Sequence, residues 1–251
     1  MMPFRYLNLD KVGSTNVYLQ EMPEQERISC VVFADEQSSG KGMGSNSWES
    51  EPGMNLTFSV GFDMSFLKAG DQFLLSQAVP LGMLDVLDGM LPCEAFVKWP
   101  NDLVVEGGKM SGILINSTIH GSMMGVSVVG IGLNVNQMHF QDWPTHPVSM
   151  KMVLGRDVEL EPLLYQLVEA VDGRVQMLRT AEGIAKVRED YLKRLYRYRI
   201  WSDYEVGGQI VKRYVTGIDP FGRLETLDET GQKYVYDIKE IRFLSTLNSE
   251  L

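Results

Sequence analysis

A glycine-rich stretch, residues 38–48, constrains the fold of this chain more than any other feature. It reads SSGKGMGSNSW and lies between two strand patterns, at residues 30–34 and 56–62. Glycine and serine in this proportion are typical of flexible linkers. A long loop that joins two strands inside one domain is more often a functional lid, and the flanking strands favour that interpretation.

The composition of this loop favours binding of an anion. Alternate glycines let the backbone approach a ligand closely and turn N–H groups toward negative charge. Lys41 adds a cation, and Trp48 offers a flat aromatic face for a planar ring. The loop lacks the third glycine of a dinucleotide fingerprint, and Lys41 is not followed by the Ser or Thr of a P-loop. Neither of these common phosphate motifs therefore describes it.

A second stretch further along the chain is predicted to complete the same site. It reads KWPND at residues 98–102 and GGKMSG at residues 107–112. A single lysine at the end of a strand is usually a solvated charge. Lys98 and Lys109 both lie next to glycines or a turn, however, and together with Lys41 they predict a site for a nucleotide and a second anion.

Composition bounds the class of protein. The chain has 251 residues, 44% of them hydrophobic, and a net charge of −10. This length allows one large domain, or a large domain with a small appendage. A strongly acidic chain has no global field that attracts nucleic acid, so the anion site must be local. No apolar run is long enough to span a membrane, the first residues lack the apolar segment of a signal peptide, and Cys30 and Cys93 are expected to be reduced thiols of a cytoplasmic protein.

The pattern of elements predicts an α/β (α+β) protein with a mixed sheet. Helical spacing of apolar residues marks residues 71–87, 161–178 and 183–198. The basic, aromatic run at 191–199 has two interpretations, a nucleic-acid patch or a helix end, and the helix end is favoured. Beyond it, short strands at 206–210, 211–218, 223–227, 234–238 and 241–244 predict a small antiparallel barrel. The predicted domains are therefore 1–199 and 200–251.

Several polar residues remain open between a structural and a functional role. Ser14 and Thr15 follow a glycine and precede a helix, so they suit a helix cap or a polar ligand equally. Gln37 can pair with an amide or ureido group or be solvated, and Asn134 at a strand end could meet a phosphate or a ribose. The three histidines, 120, 139 and 146, show no metal spacing with each other or with the cysteines, so the sequence does not identify the metal ligands.

Taken together, these motifs resemble the biotin protein ligase family, also described as biotin–[acetyl-CoA-carboxylase] ligases. The residues that carry the resemblance are 13–16 (GSTN), Gln37 with 40–48, 98–102 (KWPND), 109–114 (KMSGIL) and 130–134 (GIGLN). The resemblance implies a catalytic α/β domain followed by an SH3-like β-barrel domain. It also implies that ATP and Mg²⁺ activate biotin to biotinyl-5′-AMP, and that biotin then moves to a lysine of a carboxylase carrier domain.

The resemblance also implies roles for individual residues. Lys109, Lys41 and Asp102 would be catalytic, with the two lysines facing the biotin carboxylate and the α-phosphate, and Asp102 guiding the acceptor lysine or a metal. The residues implied to bind biotin are Ser14, Thr15, Asn16, Gln37, Gly40, Lys41, Gly42, Lys109 and Gly112. The residues implied to bind ATP or the adenylate are Lys41, Gly42, Met43, Trp48, Lys98, Asn101, Lys109 and Asn134, with Trp48 stacked on adenine.

Two departures from the family pattern change what we expect. The family loop usually carries an arginine where Met43 or Gly44 stands, and a glycine at Ser45, so this loop is expected to hold the adenylate less tightly. Larger members begin with a helix-turn-helix domain, and the residues before Ser14 are too few for one, so a monofunctional ligase without a repressor role is expected. The alternatives are a lipoate ligase and a small-molecule sensor that adenylates nothing. A homodimer through an edge strand is also possible.

Overall fold

The computed structural model describes residues 3–140 and 146–244, which form two β-sheets and six α-helices. The strands of the first sheet are β1 Arg5–Val12, β2 Cys30–Gln37, β3 Leu56–Asp63, β4 Ala95–Lys98, β5 Asp102–Val105, β6 Gly108–His120 and β7 Met123–Leu133. The helices are α1 Thr15–Glu21, α2 Glu24–Arg27, α3 Phe73–Leu87, α4 Met150–Leu154, α5 Leu160–Met177 and α6 Ala181–Arg194, with a short 3-10 helix at Ala69–Asp71.

The first sheet is seven-stranded, with the order β1-β2-β3-β7-β6-β5-β4. Its β1 and β2 are parallel and the other neighbours are antiparallel, so the predicted mixed sheet is confirmed. A parallel pair requires a crossover, and α1 and α2 supply it. The glycine-rich stretch connects β2 to β3, so it lies at the end of these two neighbouring inner strands.

Helices cover both faces of the sheet. On one face α3 and α5 pack so closely that a Cβ at Gly82 would lie 2.5 Å from the Cα of Val171, which explains the glycine in α3. This face holds the large hydrophobic core. On the other face Leu19 of α1 packs in a smaller cluster with Cys30, Val32 and Val128. None of the described helices is long and apolar enough to cross a membrane.

The second sheet contains the C-terminal strands. Its strands are β8 Trp201–Val206, β9 Gln209–Ile218, β10 Leu224–Leu227, β11 Lys233–Tyr236 and β12 Ile241–Phe243, in the order β11-β10-β9-β8-β12. All neighbouring strands are antiparallel. The edge strands β11 and β12 do not pair with each other in the part of the chain that the structure describes. The predicted small barrel is therefore observed as an open five-stranded sheet.

The two sheets are joined by buried contacts near the end of β4. The indole N–H of Trp99 donates to the carbonyl of Gly222 over 2.8 Å, and Trp99 is 3% exposed. The amide of Tyr196 donates to the carbonyl of Val97 over 2.8 Å. The amide of Arg199 donates to the carbonyl of Val215 over 3.0 Å. These bonds fix the second sheet beside the first and bring β12 toward the glycine-rich loop.

Some predicted elements were wrong in extent. The helix expected at 183–198 ends at Arg194, and Arg197 and Arg199 have φ values of 61° and 56°, which no α-helix tolerates. The strand expected at 206–210 is instead the turn at Gly207–Gly208 between β8 and β9, and β8 itself was not predicted. Short helices α2 and α4 were also missed.

Candidate active site

A cavity of about 250 Å³ lies between the first sheet, the glycine-rich loop, the turn after β4 and strand β12. Of the residues predicted from sequence, the structure brings together along its wall Ser14, Thr15, Asn16, Gln37, Lys41, Gly42, Met43, Trp48, Lys98, Asn101, Asp102, Lys109 and Gly112. Gly40 and Asn134 do not line it. Residues far apart in sequence therefore converge on one space.

One end of the cavity is polar and neutral. Gln37 Oε1 accepts from the Thr15 amide over 2.8 Å and from its hydroxyl over 3.2 Å. The Thr15 hydroxyl also lies 2.9 Å from the Ser59 hydroxyl. Ser14 caps α1, its hydroxyl accepting from the amide of Val17 over 3.5 Å. Because Ser14 also lines the cavity, the cap and the ligand-facing position are occupied by the same buried residue.

Asn16 forms the wall beside this polar end. Its side-chain nitrogen donates to the carbonyl of Leu114 over 3.4 Å. A Cβ at Gly130 would lie 2.7 Å from the same nitrogen, so glycine is required on β7 for Asn16 to lie there. Gly130 thus makes room for the buried side-chain amide of Asn16.

The glycine-rich loop forms a small hairpin over the cavity. Its arms are joined by the Gly42 amide, which donates to Asn46 over 2.8 Å, and by the Trp48 amide, which donates to Gly40 over 3.0 Å. A Cβ at Gly40 would lie 2.3 Å from the carbonyl oxygen of Trp48, so Gly40 closes the base of the hairpin. Gly40 therefore shapes the loop, and the lining residues of the loop lie beyond it.

Trp48 lies flat on two glycines of the sheet. A Cβ at Gly132 would lie 2.3 Å from the indole, and one at Gly112 would lie 3.2 Å from it. The indole nitrogen is buried and has no hydrogen-bond partner among the described residues. A buried donor without a partner is costly, so this N–H is available to an acceptor on a ligand. The ring also lies 5.8 Å from the ammonium of Lys109.

Another part of the cavity wall is cationic. The ammonium of Lys109 lies 2.7 Å from Asp102 Oδ1, in a contact with the geometry of an ion pair rather than of a directed hydrogen bond. The ammonium of Lys98 lies 5.6 Å from the centre of the Phe243 ring. Burial lowers the pKa of Lys98; Asp102 opposes this shift, and Arg197 and Lys109 add to it.

Strand β12 supplies wall residues that the sequence did not reveal. Ile241, Arg242 and Phe243 all line the cavity. Arg242 is also ion-paired with Glu205 on the neighbouring strand β8. With Arg242 included, the lining contains four cationic side chains and one carboxylate, Asp102. No local pattern marks β12 as part of a site, because only tertiary packing of the second sheet brings it there.

Asn134 acts behind the cavity instead of within it. Its side-chain nitrogen donates to the carbonyls of Lys109 over 3.3 Å and of Val148 over 3.2 Å. Asn134 is 3% exposed. It therefore holds the backbone at Lys109, and the structure does not bring its amide to the cavity wall.

The cavity offers little to a metal ion by itself. The described residues contain no group of three or more His, Cys, Asp or Glu side chains that could hold one. Asp102 is the carboxylate that lines the cavity. Mg²⁺ commonly uses one or two carboxylates together with phosphate oxygens and water, so this donor set fits a magnesium ion that arrives on a polyphosphate.

The sequence and the fold of this chain are similar to those of known proteins. A model of the biotin/lipoate A/B protein ligase family matches residues 10–134. A biotin–[acetyl-CoA-carboxylase] ligase of Paracoccus denitrificans is 30% identical over 89% of this chain and 90% of its own length. A protein of the same name from Mycobacterium tuberculosis is 26% identical over 92% of this chain and 86% of its own. A biotin protein ligase from Aquifex aeolicus, solved in complex with biotin and ATP, has a TM-score of 0.78 at 19% identity, covering 96% of this chain and 99% of its own, which shows a shared fold.

Proposed function

The chain belongs to the biotin/lipoate A/B protein ligase family, and we propose that within it the chain is an ATP-dependent biotin protein ligase. In the first step a carboxylate oxygen of biotin attacks the α-phosphorus of ATP. The mixed anhydride biotinyl-5′-AMP forms, and the bond from the α-phosphorus to the pyrophosphate oxygen breaks. In the second step the amine of an acceptor lysine attacks the acyl carbon, an amide forms, a proton is lost and AMP leaves.

The observation that carries this proposal is that one cavity is lined both by neutral polar groups and by several cations. A chain with a net charge of −10 gathers four cationic side chains around one carboxylate in a single cavity. Two anions, a carboxylate and a triphosphate, repel each other, so a reaction between them requires fixed cations. The neutral end, with Thr15 and Gln37, supplies the donors and acceptors that an uncharged cyclic urea requires.

The roles of individual residues follow from their positions on the wall. Ser14, Thr15 and Gln37 hold the ureido ring, and Lys41 and Lys109 bind the carboxylate and the α-phosphate. Trp48, flat on its glycine platform, presents its free face to adenine. Asp102, beside Lys109, guides the acceptor amine or a metal ion. For Asn134 the contacts support a different role from the one implied by the resemblance, because its amide holds the Lys109 backbone.

Mg²⁺ would supply further positive charge on the phosphates, held in part by Asp102. The chain's own contribution is binding, orientation and exclusion of water. An acyl adenylate hydrolyses when water reaches it, so the hairpin loop must cover the cavity until the acceptor arrives. We place the domain boundary at 199/200, which leaves β12 to complete the cavity from the smaller domain.

We further propose that the acceptor is a carrier domain of a carboxylase and that the ligase acts in the cytoplasm, where Cys30 and Cys93 stay free thiols.

A homodimer is proposed at the outer edge of β6. From residue 114 to 120 this strand pairs with β7 alone in the described part of the chain. Such an edge is a template for a second strand. Sedimentation over a range of protein concentrations would detect the dimer, and a monomer at every concentration would contradict it.

Exchange of labelled pyrophosphate into ATP tests the proposed function. We expect exchange that depends on biotin and is not supported by lipoate, because the polar end of the cavity fits a urea. Exchange with lipoate alone would make the chain a lipoate ligase. The absence of exchange with either, combined with measurable binding of biotin, would make it a binding protein and refute the proposal.

A further inference from the structure

The tip of the glycine-rich loop touches the second sheet. A Cβ at Gly44 would lie 2.9 Å from the ammonium nitrogen of Lys239 and 3.5 Å from its Cε, so the Lys239 side chain lies directly against the bare backbone of Gly44. Gly44 has a φ of 68°, a value that also favours glycine. The absence of a side chain at position 44 therefore allows a contact between two parts of the fold.

A small pocket lies beside this contact. Met43 and Ile238 line a pocket of about 180 Å³, together with Phe73 and Pro100. This pocket adjoins the active-site cavity, whose wall Met43 and Pro100 share. Met43 and Ile238 thus line the same small, largely apolar space beside the loop tip.

Ile238 and Lys239 both belong to the turn between β11 and β12. Asp237 and Glu240 close this turn, the Glu240 amide donating to the Asp237 carbonyl over 3.1 Å and the Asp237 amide to Glu240 Oε2 over 2.7 Å. Lys239 has a φ of 77°, a conformation that costs free energy outside glycine. Strand β12 follows at once and enters the cavity wall. A single short segment therefore touches the loop tip and the reaction cavity.

Within the first sheet, the loop is anchored at its base and not at its tip. The Trp48 amide donates to Gly40 at the base. The backbone hydrogen bonds of residues 42–46 stay inside the hairpin, and within residues 3–140 and 146–244 no side-chain hydrogen bond ties that tip to another element. The Lys239 side chain against Gly44, with Ile238 beside Met43 in the small pocket, therefore places the turn where it can hold the tip.

We propose that Ile238 and Lys239 are positioning residues that hold the glycine-rich loop closed over the adenylate. The proposal rests on the proposed ligase function and adds a role for the second sheet in it. Neither residue lines the reaction cavity, so both act through the loop. The Lys239 stem lies against Gly44 and Ile238 narrows the apolar pocket beside Met43, so the two residues together keep the tip over the cavity.

The test compares Ile238→Ala and Lys239→Ala, singly and together, with the parent enzyme. The first measurement is the release of preformed biotinyl-5′-AMP in the absence of acceptor, which we expect to rise about fivefold in the double variant because the contact at Gly44 and the apolar side chain beside Met43 are both lost. The second is trypsin cleavage after Lys41, which we expect to become faster in the free enzyme and to lose its protection by biotin and ATP. Lys239→Arg should retain slow release, because its aliphatic stem is preserved.

Matched controls come from the same sheet. Lys233→Ala removes an exposed lysine from β11, and Ile210→Ala removes an exposed isoleucine from β9. Neither should change adenylate release or tryptic cleavage. Thermal unfolding of every variant separates a loosened loop from a loosened domain.

The outcomes distinguish this proposal from the proposed function. Equal tryptic cleavage of the free parent and the folded double variant would overturn the proposal that Ile238 and Lys239 hold the loop, whatever the activity. If the parent makes no adenylate, the ligase function fails, and the cleavage comparison alone still decides whether the second sheet holds the loop. Equal release of adenylate by a folded double variant and the parent would also overturn the proposal.

Discussion

Lys109 is the residue on which the first step of the proposed chemistry depends most. Its ammonium is 2.7 Å from Asp102 and lines the cavity beside Trp48. Lys109→Ala should lower biotin-dependent pyrophosphate release by about 100-fold or more, because a preorganised cation at the site of developing charge is removed. Lys151→Ala, which removes a surface lysine paired with Asp157, is the control. Normal pyrophosphate release by the Lys109 variant would remove this residue from the first step.

Gly132 is a second residue whose identity the site requires. A Cβ there would lie 2.3 Å from the Trp48 indole, so Gly132→Ala must push the ring off the sheet. We expect the affinity for ATP to fall about tenfold, because the adenine platform is displaced. Isothermal titration calorimetry measures it. Gly173→Ala in α5 is the control, since a Cβ there meets nothing within 4 Å. An unchanged affinity in a folded Gly132→Ala protein would show that the ring is not the platform.

At this scale the sequence predicted most of the wall. Runs such as 98–102 and 109–112 place their side chains by local geometry, and a local pattern can be recognised in sequence. Arg242 and Phe243 could not be predicted, since their position depends on packing between two sheets. The roles of Gly40 and Asn134 depend on which atoms surround them, a fact that no spacing reveals.

Among the elements, helix α2 is tied to the β6–β7 hairpin by one carboxylate. Glu24 Oε1 accepts from the Thr118 hydroxyl over 2.7 Å and from the Val126 amide over 3.2 Å, and lies 2.9 Å from His120 Nε2. The bond with His120, followed by those with Thr118 and Val126, lowers the pKa of Glu24 to about 2. The carboxylate is therefore stabilising above its unfolded pKa, and this contribution is lost as the pH falls toward 2.

Glu24→Gln should accordingly lower the thermal midpoint of unfolding by about 2 °C at pH 7. The effect is modest because the hydrogen bonds of Glu24 lie near the surface. The difference from the parent should shrink as the pH falls below the ordinary pKa of a glutamate. Calorimetry across this pH range measures it. Glu21→Gln, at the exposed end of α1, should show no such trend. A difference that grows toward acid pH would contradict the assignment.

The sequence predicted long elements better than short ones. The apolar periodicity of α3 and α5 extends over many residues, and both helices were found close to their predicted bounds. Strand β8 has a mixed burial pattern with an exposed Trp201, so periodicity gave no signal. The end of α6 was misjudged because Leu195 and Tyr196 turn away to pair with β4, a tertiary contact that overrides local helical preference.

Over the whole molecule, Trp99 joins the two sheets. It lies in the turn between β4 and β5, and its indole N–H donates to the carbonyl of Gly222, in the turn between β9 and β10. Trp99→Phe should reduce the free energy of unfolding by about 1 to 2 kcal/mol, since a buried hydrogen bond and buried volume are lost. It should also slow pyrophosphate exchange, because β12 would no longer be held against the cavity.

Denaturant unfolding and the exchange assay check both effects. Trp201→Phe, at a half-exposed tryptophan in the second sheet, is the matched control and should change neither. If Trp99→Phe were as stable and as active as the parent, the second sheet would have no part in shaping the site.

The central claim is that Lys41 and Lys109, under a closed loop, bring two anions together. A crystal structure of the enzyme with biotin and an unreactive ATP analogue measures this most directly. We predict that both ammonium groups lie within about 3.5 Å of carboxylate or α-phosphate oxygens, with residues 38–48 closed over them. A bound complex in which both groups lie more than about 6 Å from those oxygens would contradict the claim.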